Sequence, residues 1–219
     1  LKPFPEIVDA SEEISKKYLK EAVIEKVILK NLSSLFNIRE IEAIEKIINV
    51  MASKPGLIMN LNDMSKDFGI SRQVLSNYLY YLQCCFLVKQ LKNFRGSIKV
   101  TSRKLKKYYL LHPCFSLAIS PVETSMLIEN LVGFKTKAEY YWREREKEVD
   151  FILKNKSILP IEVKYKKQIK KKDLNNLLNF MQRFKVKNSL MITEDHDGVE
   201  KIKGKKIKFI PLWKWLLAQ

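Results

Sequence analysis

Histidine is almost missing from this chain: His112 and His196 are the only two in 219 residues. His112 stands directly before Pro113 and reads as structural, and His196 lies in a polar loop, so a histidine-based mechanism has little support. Cysteine is scarce and odd in number. Cys84, Cys85 and Cys114 have no zinc-ligand spacing, and adjacent cysteines seldom bridge. Reduced core thiols in a cytoplasmic protein are the expectation. No apolar run reaches the roughly 20 residues of a membrane span; the longest candidate, residues 105–122, carries Lys106, Lys107 and His112. No Gly-rich loop ends in Gly-Lys-Ser or Gly-Lys-Thr, which excludes P-loop binding of ATP within this chain. The start, Leu1-Lys2-Pro3-Phe4-Pro5, has no Met and no signal-peptide pattern, and reads as cut from a longer chain.

Acidic residues are also few beside the basic ones. Lys and Arg number 41 against 24 Asp and Glu, a formal charge of +17. Such an excess points to a polyanionic partner, nucleic acid ahead of an anionic membrane surface, with a merely solvated lysine-rich surface as the alternative. The apolar fraction of 46% suffices for a packed core, and the length suits one large or two ordinary domains.

Apolar spacing predicts a capped lead-in helix to about residue 32, then a helix over 38–52 striped by Ile41, Ile44, Ile47, Ile48 and Met51. Ser53-Lys54-Pro55-Gly56 stops it. A short strand at 57–59 precedes a helix capped by Asn60 or Asn62, a turn at Gly69, and a helix capped by Ser71. Two short strands follow, at 86–91 and 97–101. This order resembles a winged helix-turn-helix domain, carried by residues 61–82. The resemblance implies that Ser71, Arg72, Gln73, Ser76 and Asn77 face DNA. It also implies that Lys92, Arg95, Lys99 and Arg103 meet phosphates from the wing. A packing or protein-interaction role stays open beside this one.

Further on, two β-branched runs flank a short polar turn between residues 148 and 164, a hairpin signal. Side chains two apart share a strand face, so Glu162 goes with Lys164 and Glu148 with Asp150. Two carboxylates and an amine fixed on strands can hold a hard divalent cation and an attacking water. Asp150, an eleven-residue gap and Glu162-Val163-Lys164 resemble the PD-(D/E)XK pattern of restriction-endonuclease-like folds, with Glu129 on the preceding helix and Val149 where proline often stands.

The whole chain resembles the C-terminal region of archaeal and bacterial AAA-type ATPases, which carry a domain of unknown function with this nuclease-like core. The expected fold is α/β and multi-domain. A helical lead-in over 1–35 precedes a winged-helix domain over 36–104 and a nuclease-like mixed α/β domain over 105–219. The resemblance implies Mg²⁺ or Mn²⁺ held by Asp150, Glu162, the Val163 carbonyl and Glu129, with Lys164 stabilising charge on the phosphate. The basic run Lys166, Lys167, Lys170, Lys171 and Lys172 would hold the DNA strand. Expected partners are DNA and an upstream ATPase module, with self-association open and no membrane. A catalytically silent DNA-binding or ATPase-regulating module remains the alternative.

Overall fold

The computed structural model describes residues 4–36, 38, 40–95, 105–155 and 157–218. The chain is mixed α/β and divides into two compact units: Leu1–Gln90 with Leu105–Leu131, and Leu91–Lys104 with Val132–Gln219.

The first unit opens with α1 (Glu12–Tyr18), whose N-terminus is closed by the Ser11 hydroxyl accepting from the Ile14 amide. The helical path continues in wider π turns over Leu19–Glu25 and Val27–Leu32, then α2 (Ser33–Leu35). Helix α3 (Ile41–Ser53) buries Ile44, Ile47, Ile48 and Met51, the stripe its spacing predicts. Strand β1 (Leu57–Met59) leads to α4 (Leu61–Asp67), capped by Asn60, and α5 (Arg72–Cys84), capped by Ser71. Leu75, Tyr78, Leu79 and Leu82 turn the inner face of α5 into the same core as α3. Strand β2 (Val88–Asn93) follows; the second wing strand expected at 97–101 lies outside the described residues.

A second domain is expected from residue 105, but the chain returns here to the first unit. Strand β3 (Lys106–Leu110) pairs antiparallel with β1, Leu57 opposite Tyr108, which ties residues 105–131 to what precedes them. The apolar segment after β3 is helical. His112 accepts the Cys114 amide through Nδ1 at 3.2 Å, and Pro113 opens α6 (Pro113–Ile119). His112 is therefore a cap, as its structural reading requires. Helix α7 (Thr124–Thr136) runs from the first unit into the second.

The cysteines separate by environment. Cys114 is buried, and burial pushes its thiol up to about 12; Cys84 is exposed. Since the thiolate is the reactive form, iodoacetamide at about pH 8 should label Cys84 and spare Cys114 until the protein is denatured. Equal labelling of both in the native protein, read by peptide mass spectrometry, would refute this placement.

In the second unit a hairpin joins β4 (Tyr140–Glu144) to β5 (Lys147–Lys154), and another joins β5 to β6 (Ile158–Lys164). A short 3₁₀ turn (Lys171–Leu174) and α8 (Asn175–Arg183) then cross to β7 (Asn188–Thr193). β8 (Gly198–Ile202), β9 (Lys205–Pro211) and α9 (Leu212–Leu217) complete it. The sheet order is β4-β5-β6-β7-β9-β8, with β6, β7 and β9 parallel. β5, β6 and β7 read as nearly continuous apolar runs because both their faces are covered. One face packs on α8 through Trp142, Val149, Ile152, Leu177, Phe180 and Met191. On α7, a Cβ at Gly133 would sit 2.8 Å from the Phe151 ring. Gly133→Ala should therefore cost about 1–3 kcal/mol through overpacking, measured by urea denaturation; no loss would show that the helix slides away freely.

Charge divides unevenly between the units. The second holds 27 Lys and Arg against 11 Asp and Glu, whereas the first holds 14 against 13, so nearly the whole excess belongs to the second. No helix among the described residues is long and apolar enough to cross a membrane.

Candidate functional site

The carboxylates singled out by the sequence lie where β5 and β6 part. Their antiparallel ladder runs from Lys154↔Ile158 to Phe151↔Ile161. Beyond it each strand keeps a different neighbour: Val149 pairs with Trp142 of β4, while Glu162 and Lys164 pair with Met191 and Thr193 of β7. The register between β4 and β5 also shifts here. Tyr141 alone lies between Tyr140 and Trp142, but both Asp150 and Phe151 lie between Ile152 and Val149. Asp150 thus sits on a β-bulge, a device that re-aims a side chain out of strict alternation.

The bulge turns Asp150 into the gap between the strands. Its Oδ2 accepts the Val163 amide at 2.9 Å, the N–H that a continued ladder would have given to β5. A strand residue directs its N–H and C=O toward the same neighbour, so the Val163 carbonyl faces this gap as well. Glu162 and Lys164 share the other relation expected of them: Lys164 Nζ stands 2.6 Å from Glu162 Oε1. Asp150 is 7% exposed and Glu162 2%, so both carboxylates are desolvated, while the Lys164 side chain keeps 31% of its surface. Buried charges of this kind interact strongly because little water screens them. The row Lys164, Thr193, Pro211 marks the C-terminal ends of three parallel strands, the edge where α/β sheets bind ligands.

The oxygen donors are hard ones. Asp150, Glu162 and the Val163 carbonyl match what Mg²⁺ and Mn²⁺ accept, and Mg²⁺ commonly takes one or two carboxylates with waters and substrate oxygens completing its shell. Among the described residues no group of three or more His, Cys, Asp or Glu stands close enough together to hold an ion.

Other expected site residues have different surroundings. Glu129 belongs to the first unit, where its Oε1 stands 2.8 Å from Lys107 Nζ and accepts the Tyr109 hydroxyl at 2.6 Å. Lys107 is 2% exposed, so Glu129 supplies its counter-charge, a task the sequence reading did not assign to it. Arg95, expected to meet phosphate from the wing, is engaged inside the second unit. It donates to the Arg143 carbonyl and lies 3.8 Å from Glu144, with 13% of its side chain exposed. Asn93 fastens the same segment to β4, exchanging bonds with the Arg143 backbone at 3.0 and 3.1 Å.

On α5, Arg72, Gln73 and Ser76 are exposed and Asn77 half-buried, and Gln73 Nε2 donates to Asn77 Oδ1 at 3.0 Å. Ser71 spends its hydroxyl as the helix cap, accepting from Val74 at 3.1 Å. Lys99 and Arg103 lie outside the described residues. In the basic run, Lys166 pairs with Asp173 at 2.6 Å, and the Lys170 amide donates to the same carboxylate at 2.7 Å. Burial works to raise the Asp173 pKa, yet Lys166, the Lys170 amide and the charge of Lys164 hold it below the usual carboxylate range. Lys167, Lys170, Lys171 and Lys172 keep exposed side chains.

Sequence reasoning missed β8 and the lysines it faces across to β9. The charge count taken by halves was the signal that pointed there.

Residues 3–125 match the family model of a domain of unknown function, DUF8612, and residues 122–215 match that of a second domain of unknown function, DUF4143. An uncharacterized protein of Methanocaldococcus jannaschii is 27% identical over 248 aligned residues, which cover 98% of this chain and 53% of the relative. The chain therefore spans about half the length of the curated relative it matches. No solved structure matches it.

Proposed function

Because the chain belongs to the DUF8612 family, a domain of unknown function whose model covers more than half of it, its chemistry has to come from its own residues, and we propose a metal-dependent nuclease that hydrolyses DNA phosphodiester bonds. The observation that carries the reading is the parted strand pair. Asp150 is held by the Val163 amide, and Glu162 by Lys164, which supports reading these residues as a PD-(D/E)XK set. Two buried carboxylates on rigid strands are preorganised, so little reorganisation is needed when charge develops on a substrate.

Asp150, Glu162 and the Val163 carbonyl would hold Mg²⁺ or Mn²⁺. A bound ion of this kind lowers the pKa of water and polarises a phosphoryl oxygen. Lys164, half-buried and paired with Glu162, would offset charge building on the scissile phosphate with its ammonium. The Val163 amide fixes Asp150 through its hydrogen bond to Oδ2. Lys167, Lys170, Lys171 and Lys172 follow directly from β6 and would carry the strand electrostatically.

In this reading the helix pair α4–α5 with β2 is a winged-helix element that docks DNA through Arg72, Gln73, Ser76 and Asn77. The chain is the cytoplasmic C-terminal portion of an AAA-type ATPase, in line with a relative about twice its span. Cleavage of plasmid and branched DNA with Mg²⁺ or Mn²⁺ tests the proposal, with Asp150→Ala and Lys164→Ala inactive. Native protein that leaves linear, single-stranded and branched DNA intact overturns it. That result would favour a silent DNA-binding module, a reading that the existing Lys164–Glu162 ion pair supports on its own.

A further inference from the structure

The β8–β9 hairpin is held in register by Lys201↔Lys206 and Val199↔Lys208. Residues directly opposite share a face, as do residues two apart, so Val199, Lys201, Lys206 and Lys208 form one outward patch. All four are exposed. Lys203 and Gly204, both at positive φ, form the two-residue turn and set Lys203 at its tip. The same face continues onto β7, where Asn188 lies opposite Lys206 and is exposed.

Lysine is used differently on the reverse face of the same strand. Lys205 lies opposite Ile202, and its Nζ donates to the Met181 and Val186 carbonyls at 3.0 and 3.1 Å, closing the end of α8. Among the described residues, Lys206 and Lys208 have no such task. None of the salt bridges among the described residues uses Lys201, Lys203 or Lys206. Lys208 is felt only as a nearby charge at Asp197, whose carboxylate is already bonded to Lys214.

Like charges directly opposite on a sheet destabilise it. An exposed edge strand does need charge to discourage pairing with other chains, but a single lysine accomplishes that. Here two lysines face each other and a third follows on the same face, in the unit that holds nearly the whole positive excess. We propose that the outward face of β8 and β9 is a track for the phosphate backbone of nucleic acid, with Lys201, Lys206 and Lys208 as its contacts and Lys203 at its end. It rests on the reading of this unit as DNA-processing, and assigns the anchoring to the sheet edge. The pleat places these lysines on the face opposite Glu162 and Lys164, so the track holds DNA without entering the cleavage site.

The test is fluorescence anisotropy with a labelled DNA duplex in EDTA over a salt series, comparing the native chain with the K201Q/K206Q/K208Q triple variant and with Lys206→Glu. Each lost phosphate contact should flatten the slope of log K against log salt by about 0.9. The triple variant should therefore bind on the order of 10- to 100-fold more weakly at low salt. The midpoint of urea denaturation should stay or rise, above all for Lys206→Glu, which turns a repulsive pair into an attractive one. Unchanged slope and affinity overturn the track and leave the lysines as edge guards. A lower midpoint in both variants overturns it too, since the residues would then be structural. Absence of cleavage by the native chain would refute the nuclease and leave the track standing, whereas an unchanged salt slope in the triple variant, with cleavage present, would refute the track alone.

Discussion

Glu129→Ala should destabilise the first unit by about 3–5 kcal/mol, because it leaves the buried Lys107 ammonium without its carboxylate. The cost comes from an uncompensated charge and not from the worth of the pair. Replacing both partners by apolar residues of similar size, Lys107→Met with Glu129→Leu, should therefore restore most of the loss. The Tyr109 hydroxyl also loses its acceptor in Glu129→Ala, which adds about 1–3 kcal/mol if nothing else takes its place. Urea denaturation of the single and double variants measures both effects. A single variant within about 1 kcal/mol of the native chain would mean that Lys107 is already neutral or otherwise satisfied, below any cost expected of a broken buried pair. The same variant bears on function: a carboxylate committed to Lys107 supports cleavage only through the fold it maintains, so the double variant should regain activity together with stability. A double variant that is stable but inactive would return Glu129 to the metal site.

The second large effect concerns Asp150. Asparagine keeps an oxygen to accept the Val163 amide but removes the negative charge. Asp150→Asn should leave the denaturation midpoint nearly unchanged and lower the cleavage rate by at least about 100- to 1,000-fold, the scale of losing one preorganised electrostatic group. Alanine at the same position also loses the hydrogen bond and leaves a buried N–H unpaired, so Asp150→Ala should be less stable by about 1–3 kcal/mol. The two variants separate the structural task of Asp150 from its chemical one. Equal cleavage by the native chain and by Asp150→Asn would sink the catalytic assignment while leaving the bulge as a structural feature.

Much of this arrangement is legible in the chain. The stripe from Ile41 to Met51 marks α3, and Ser71 marks the start of α5, because spacing and capping are local properties. The turn between residues 154 and 158 and the runs on either side predict the hairpin, and the two-residue spacing of Glu162 and Lys164 predicts their contact. Alternation alone misplaces Asp150: strict period two sends it to a sheet face, while one extra residue opposite Tyr141 turns it into the gap. The helix at Pro113 is marked by its cap residue but hidden by an apolar run that reads equally well as strand.

What the sequence by itself determined is therefore periodicity, capping, the hairpin that carries Asp150, Glu162 and Lys164, and an excess of positive charge. Which charges are committed and which face outward was decided by the tertiary structure. Glu129 and Lys107 are 22 positions apart and Arg95 and Glu144 are 49 apart, yet each pair meets in space. Lys205 and Lys206 are neighbours in the chain, but the pleat sends one to the end of α8 and the other outward from the sheet edge. Local pattern sets the direction of a side chain along its own element, while the element packed against that direction determines what the side chain meets.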